Sequence, residues 1–182
     1  MNGHSANSST SVSSPILVKQ SSRLIDGIRT DVLVQSFADR ILILVTQLGK
    51  VGTLTQISMP MTSIDEPYEL SPAVPSLNLP SLPVPHTSLQ ISPLLSTPPS
   101  DSKIIYEVYL NQIGMLVLTG FGPRPNPPLP PSQAFGRGSR QLVVGLALDF
   151  ASKASKAGEG DSDKERIKFG SIMEMVMECR IW

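Results

Sequence analysis

The 182-residue chain contains one cysteine, two histidines and no excess of charge of either sign. A single cysteine, Cys179, excludes an internal disulfide and a cysteine-rich zinc site, and it agrees with a reducing compartment. The 15 basic and 15 acidic residues balance, which leaves no electrostatic footprint for nucleic acid or an anionic membrane surface. No apolar run is long enough to span a membrane, and residues 1–14 lack the apolar core of a secretory signal. We therefore expect a cytoplasmic protein, with the nucleus as a second compartment.

The scarcity of histidine also argues against catalysis. His4 lies in a polar N-terminal tail and His86 in a Pro-rich stretch, so the usual general base is missing from the part expected to fold. Asp39 and Asp149 remain as an acid–base pair in principle, but solvation at the strand ends explains both. The chain shows no metal, flavin or nucleotide fingerprint. We expect no catalytic residue, no cofactor, no metal and no small-molecule substrate, and so a protein that is not an enzyme.

Proline, by contrast, is abundant and unevenly placed. Of 17 prolines, ten lie between Pro60 and Pro99 and six between Pro123 and Pro131. Proline removes a donor from a β-ladder and fixes φ, so these clusters mark segments outside the core. The sequence predicts a disordered tail over 1–14 and one domain over 15–182 with Pro-rich insertions at 60–86 and 123–139. We expect the first insertion to be poorly ordered and dispensable for folding.

Hydrophobic alternation predicts about six β-strands, which fall at 16–20, 29–37, 41–45, 53–59, 87–95 and 141–148. Residues 41–45 and 141–148 are apolar on both faces, which is typical of central strands covered on two sides. Pro93 places the fifth strand at an edge. The residues together predict an α+β fold, an antiparallel sheet packed with two helices.

Two segments are candidates for those helices. The last begins at a capping-box pair, Ser162 and Glu165, and carries an apolar stripe of Phe169, Ile172, Met173, Val176 and Met177. Residues 101–120 fit helical spacing and strand alternation equally well, so they form either a helix or a strand pair. Asp101 or Ser102 is a plausible N-cap and Gly120 a plausible residue after the C-cap.

The most informative stretch is 40–53, where an apolar strand ends in a glycine–lysine–glycine turn. A phosphate-binding loop would need a leading glycine at the position of Leu44 and a Ser or Thr at the position of Val51. It would also open a helix, whereas the residues from Thr53 onward alternate like a strand. The alternative reading is a hairpin connection over 48–52, in which Gly49 and Gly52 supply positive φ and Lys50 keeps the tip soluble.

At these residues the chain resembles a known family. The run Thr46-Gln47-Leu48-Gly49-Lys50-Val51-Gly52-Thr53-Leu54 resembles the signature hairpin of the proteasome assembly chaperone 3 family. The closing residues Cys179-Arg180-Ile181-Trp182, after an amphipathic helix, resemble the terminus of the same family. The resemblance covers 29–59 and 87–182, and it implies a helix over 101–120, which is our prediction for that segment.

The resemblance also implies a function without ATP or a covalent step. Family members pair with a similar protein, proteasome assembly chaperone 4, and the heterodimer binds α-type subunits while the α-ring of the 20S proteasome assembles. The positions that match are Thr46, Gln47, Gly49, Lys50, Gly52 and Thr53 of the hairpin, together with the terminal Trp182.

These matched positions differ in what they predict. Turn geometry explains the two glycines better than partner contact does. Lys50 is the better contact candidate, because no turn requires its charge. Trp182 either anchors the helix end in the core or faces a partner.

A second function class rests on the later Pro-rich segment. The run Arg124-Pro125-Asn126-Pro127-Pro128-Leu129-Pro130 fits an SH3-ligand pattern, in which Pro127 and Pro130 preset a polyproline II helix and Arg124 reaches an acidic pocket. This alternative makes the chain a Pro-rich adaptor or scaffold protein. A third reading is a small scaffold with no connection to the proteasome, for example in vesicle trafficking.

Overall fold

The computed structural model describes residues 16–47, 49–60, 63, 67–75, 80–122, 141–149 and 159–182. The predicted N-terminal tail, the insertion at 123–139 and the SH3-ligand motif lie outside the described residues. The strands are β1 (Val18–Ile25), β2 (Ile28–Ser36), β3 (Arg40–Thr46), β4 (Thr53–Ser58), β5 (Gln90–Leu95) and β6 (Gln141–Ala147). The long helices are α1 (Lys103–Leu118) and α2 (Glu159–Glu178), with a 3₁₀ turn over Ser100–Ser102.

The six strands form one sheet in the order β1-β2-β3-β6-β4-β5. This confirms the α+β class with six strands and two helices, and it places β5 at an edge as predicted. The sheet is mixed, because β3 and β6 run parallel while every other neighbouring pair is antiparallel. The predicted hairpin between β3 and β4 is wrong, since β6 lies between these two strands. The alternation that identifies each strand holds no information about which strand is its neighbour.

The first two strands form a hairpin that the sequence analysis did not predict, and β1 extends further than predicted. Ile25 pairs with Ile28, and the two residues between them, Asp26 and Gly27, both have positive φ (52° and 77°). Two positive φ values in a two-residue connection are the geometry of a type I′ turn, whose twist matches that of paired strands. This turn carries β1 to Ile25, beyond the predicted end at Gln20.

Both helices pack on the same face of the sheet. The inward-facing apolar side chains of β2, β3, β4, β6, α1 and α2 form one core cluster. Lys19 donates to the Arg180 carbonyl oxygen (2.8 Å), and Arg23 pairs with Glu174 and Glu178, which fixes α2 against β1. The prediction that β3 is covered on two sides is wrong, because Ile41 and its inward neighbours are buried while Leu42 and Leu44 stay partly exposed.

Residues 103–118 form a helix, as predicted, and its end is a Schellman motif. The Phe121 N–H donates to the Leu116 carbonyl (3.0 Å) and the Gly120 N–H to the Val117 carbonyl (3.1 Å), with Gly120 at φ 66°. At the other end, Ser102 is the N-cap, one of the two predicted residues, although its side chain makes no capping hydrogen bond. The predicted capping box of α2 is wrong, since the helix begins at Glu159, before Ser162. The apolar stripe of α2 does join the core cluster.

The Pro-rich insertion at 60–86 is in part an ordered lobe, which corrects the prediction that it is poorly ordered. We call its described residues, 67–75 and 80–86, the proline lobe. The Ser71 N–H donates to the Leu82 carbonyl (2.8 Å), and the buried Gln112 of α1 donates to the Pro83 carbonyl (3.0 Å). Leu82 is only 4% exposed and belongs to the core cluster. The lobe therefore packs on the helix layer and completes the core.

Trp182 anchors the residues that follow α2. Its side chain is 5% exposed, and its indole N–H donates to the Leu116 carbonyl (3.2 Å). The Arg180 guanidinium lies over the Trp182 ring and donates to the carbonyls of Trp182 and Gly120, both at 2.8 Å. Of the two roles considered for Trp182, the structure supports the anchor.

Trp182→Ala is expected to lower the free energy of unfolding by about 3–5 kcal/mol, because it empties a large buried site and removes the indole donor. Urea titration followed by circular dichroism measures the change. The control is Leu24→Ala, at a side chain that is 75% exposed, where we expect a change within about 0.5 kcal/mol. Equal effects of the two substitutions would contradict the anchoring role.

Candidate interaction surface

The glycine–lysine–glycine stretch crosses the end of β6. We call residues 46–53 the crossover arch; all except residue 48 are described. The arch leaves β3 and enters β4 on the far side of β6. At Gly52, φ is +68°, and a Cβ would overlap the Leu146 carbonyl oxygen and approach the Ala147 Cβ to 2.7 Å. Glycine is therefore required at position 52 both by backbone conformation and by close packing on β6.

Gln47 connects the arch to the end of β6 and to β2. Its backbone N–H donates to the Ala147 carbonyl (2.8 Å), and its side-chain oxygen accepts from the Asp149 N–H (3.1 Å). Its side-chain amide donates to the hydroxyl of the buried Thr30 (2.9 Å). Lys168 of α2 donates to the Asp149 carbonyl (2.9 Å) and so extends the network into the helix layer. The glutamine of the motif is thus a structural residue that holds the end of β6.

The other matched positions of the motif differ in whether the fold uses their side chains. Thr53 donates to the Leu146 carbonyl (3.3 Å), and the Thr46 hydroxyl accepts from the Lys50 N–H (3.2 Å). Gly49 has φ +63°, and a Cβ there would meet no atom within 4 Å. Lys50 is exposed, and none of the ion pairs found among the described residues involves its side chain. Among the described residues of the motif, Lys50 therefore has an exposed side chain that makes no ion pair with another described residue.

The sheet face opposite the helices is apolar and open. Its centre consists of Leu33, Leu42, Leu44 and Leu54, which we call the open face, around the buried Val143. The register joins them, because Leu33 pairs with Leu44, Leu42 with Val143, and both Leu44 and Leu54 with Gly145. The four leucines stay partly exposed and lie outside the core cluster. Sequence reasoning missed this surface, although the two-sided apolar pattern of β3 was its signal.

The arch continues the open face. An ideal Cβ at Gly145 would lie 2.5 Å from Leu44 Cδ2 and 3.2 Å from Val51 Cγ1. The side chains of Leu44 and Val51 therefore lie over the backbone of β6, and Val51 is still exposed on its outer side. The arch thus places Val51 and the exposed Lys50 beside the apolar centre of the sheet.

A depression of about 430 Å³, lined by residues of β1, β2 and β3, borders the open face. Asp31 lies in it, and the hydrogen bond from Ser22, with a further contribution from Arg29, lowers the pKa of this carboxyl group. Arg29 Nε lies 3.1 Å from Asp31 Oδ1. The open face therefore carries one fixed negative charge, partly balanced by a neighbouring cation, at one end of an apolar strip.

The acid–base pair considered from sequence does not form. Asp39 precedes β3 and Asp149 follows β6, and because these strands are parallel the two residues lie at opposite ends of the sheet. Within the described ranges, no group of three His, Cys, Asp or Glu side chains is placed to hold a metal ion. No helix among the described residues is long and apolar enough to cross a membrane.

Comparison with known proteins gives a partial match. A curated protein named proteasome assembly chaperone 3, from Nematostella vectensis, is 52% identical to the chain over 40 residues. The match covers 22% of this chain and 30% of that relative, so most of both proteins lies outside it. No family model matches the chain.

Gly52→Ala tests the arch, with Gly49→Ala as the matched control. Both substitutions place a side chain at positive φ, but only the first one also meets β6. We expect Gly49→Ala to lower the free energy of unfolding by about 1–2 kcal/mol and Gly52→Ala by about 2–5 kcal/mol. Chemical denaturation measures both. A cost at position 49 equal to that at position 52 would show that the arch does not press on β6.

Proposed function

We propose that the chain is a non-enzymatic assembly chaperone of the proteasome. It dimerises with a similar small chaperone, and the dimer binds α-type subunits to promote α-ring assembly of the 20S proteasome. The observation that carries the proposal is the 52% identity to a protein named proteasome assembly chaperone 3. The crossover arch and residues 179–182 also resemble that family. This resemblance is the basis for proposing a heterodimer that binds α-type subunits.

The open face supports the dimer in physical terms. Covering the apolar strip formed by its four leucines removes apolar surface from water, and burial stabilises by about 25 cal/mol per Å². Two sheets that pack face to face interdigitate their side chains at a spacing of about 10 Å. A second sheet of similar shape is therefore the natural cover, because it presents a matching twist and a matching apolar strip.

The Arg29–Asp31 pair beside the open face favours a partner that is similar to this chain but not identical to it. Asp31 would lose water in such a sandwich, and a buried charge needs a compensating charge or hydrogen bond. Interface charges contribute mainly to orientation and partner choice. A partner sheet that presents a cation near Asp31 would be preferred over a copy of this chain, which presents the same Arg29–Asp31 pair.

The adaptor hypothesis remains the second candidate. Its motif, Arg124 with Pro127 and Pro130, lies outside the described residues, so its support is the sequence pattern alone. The two functions differ in the part of the chain that they require. The chaperone needs the sheet and the arch, whereas the adaptor needs only the Pro-rich segment.

Mass spectrometry of proteins that co-purify with an N-terminally tagged chain tests the proposal and leaves the buried Trp182 unmodified. The chaperone predicts one small partner near stoichiometry, with α-type proteasome subunits and few mature β-type subunits. Recovery of an SH3 protein or of trafficking factors, without the small partner and the α-type subunits, would contradict it.

Leu44→Lys tests the role of the open face. The substitution places a cation at the centre of the apolar strip, and we expect it to weaken recovery of the small partner by about tenfold or more. The control is Leu70→Lys, at an exposed leucine of the proline lobe, where recovery is expected to stay unchanged. Circular dichroism establishes that both variants fold. Full recovery with a folded Leu44→Lys variant would show that the partner binds elsewhere.

Lys50→Glu separates the two candidate functions. If Lys50 contacts a partner, reversing its charge is expected to slow association and reduce recovery of chaperone partners by about tenfold. Lys103→Glu, at an exposed lysine of the helix layer, is the matched control. Deletion of 123–131 should leave chaperone partners unaffected. Loss of all partners on that deletion, with no effect of Lys50→Glu, would favour the adaptor.

A further inference from the structure

A serine or threonine followed directly by proline occurs four times in the chain, and the structure describes three of these dipeptides. They are Ser71-Pro72, Ser92-Pro93 and Thr97-Pro98, whereas Ser14-Pro15 lies outside the described residues. The dipeptide is the minimum motif that proline-directed protein kinases phosphorylate. A kinase must also reach the hydroxyl group and hold the surrounding chain in an extended form. The fold therefore decides which of the three can react.

The fold restrains the two serines. The Ser71 hydroxyl donates to the Leu82 carbonyl and accepts from the Leu82 N–H, both at 3.1 Å, within the proline lobe. Ser92 lies inside β5, where it pairs with Gln56 of β4. Phosphorylation of Ser71 requires local opening of the lobe, and phosphorylation of Ser92 requires removal of β5 from the sheet.

Thr97 lies in a different environment. β5 ends at Leu95, Ser96 has φ 58°, and the chain leaves the sheet at this point. Thr97 is exposed, and its side chain makes no hydrogen bond with another described residue. The 3₁₀ turn over Ser100–Ser102 holds the segment at its other end. The Thr97 hydroxyl is therefore accessible without unfolding of any strand or helix.

Two consecutive prolines give this exposed segment an extended backbone. A residue before proline is restricted to extended conformations, so Pro98 restricts Thr97 and Pro99 restricts Pro98. Pro99 itself has φ −54° and ψ 144°, which is polyproline II geometry. Proline has no N–H, so an apolar cleft can accept Pro98 without leaving a donor unpaired. The segment is therefore already in the form that a kinase cleft requires.

We propose that Thr97 is a phosphorylation site for a proline-directed serine/threonine kinase. The γ-phosphoryl group of ATP is transferred to Thr97 Oγ1, which loses its proton, and ADP leaves. The phosphate carries a charge of about −1.5 to −2 at pH 7. Leu95, which pairs with Leu54 of the open face, precedes Thr97 closely in the chain. The modification therefore adds negative charge beside the β5 edge of that surface. The inference does not depend on the proposed chaperone function.

Phosphorylation of the purified full-length chain tests the inference. The enzymes are a purified cyclin-dependent kinase and a purified mitogen-activated protein kinase, and mass spectrometry quantifies each site over time. We expect near-stoichiometric phosphate on Thr97. Ser71 and Ser92 should react at least about tenfold more slowly, because their hydrogen bonds must first break. Equal rates at the three sites, or no phosphate on Thr97 with either kinase, would overturn the proposal.

An unfolded peptide of the same chain shows whether the fold makes the selection. No lysine or arginine lies between Lys50 and Lys103, so trypsin releases residues 51–103 as one peptide that carries all three motifs. In this peptide we expect Ser71 and Ser92 to react at rates close to that of Thr97. A preference for Thr97 that is unchanged in the peptide would contradict the role of the fold.

Three variants of the full-length chain locate the modified atom. Thr97→Ser is expected to retain the phosphate, and Thr97→Ala to remove it from residues 94–103. Pro98→Ala keeps the hydroxyl group but frees the backbone, so we expect it to lose most of the modification. Phosphate on Ser96 or Ser100 of the Thr97→Ala variant, at the rate found for Thr97, would place the site elsewhere. Unchanged phosphorylation of Pro98→Ala would contradict a proline-directed site.

Discussion

The position of β6 between β3 and β4 is the constraint on which the rest of the structure depends. It obliges residues 46–53 to cross a strand end instead of closing a hairpin, which explains why Gly52 cannot carry a side chain and why Gln47 bonds to residues beyond β6. Because β6 follows α1 along the chain, the parallel pair of β3 and β6 also requires a crossover, and α1 lies within it. The arch, the mixed sheet and the helix layer all follow from the position of β6 between β3 and β4.

Among the described residues, the two helices cover one face of the sheet and leave leucines of the opposite face partly exposed. Leu33, Leu42, Leu44 and Leu54 occupy positions where a solvated sheet face would carry polar residues. On the helix side, a groove of about 440 Å³ lies between α1, α2 and the proline lobe.

The sequence was sufficient for the strands, because period-2 alternation and proline placement are local signals. The sequence was not sufficient to predict the order of the strands in the sheet. The position of β6 between β3 and β4 depends on contacts between residues about 100 positions apart, such as the pairing of Leu44 with Gly145. A local signal was missed at Asp26-Gly27, a dipeptide typical of two-residue hairpins. The proline lobe could not be predicted from composition, because Leu82 is buried in a core cluster that it shares with the sheet and the helices, which are distant in sequence. Of the candidate site, the motif positions were identifiable, but only the fold shows that most of them are structural.

The central claim is that the open face is covered by a partner sheet in the functional complex. Hydroxyl-radical footprinting of the free chain and of the chain bound to its co-purified small partner tests this most directly. The account predicts strong protection of Leu33, Leu42 and Leu44 in the complex, with oxidation of Leu70 on the proline lobe unchanged. Equal oxidation of the three open-face leucines in both states, with protection on the helix layer instead, would contradict it.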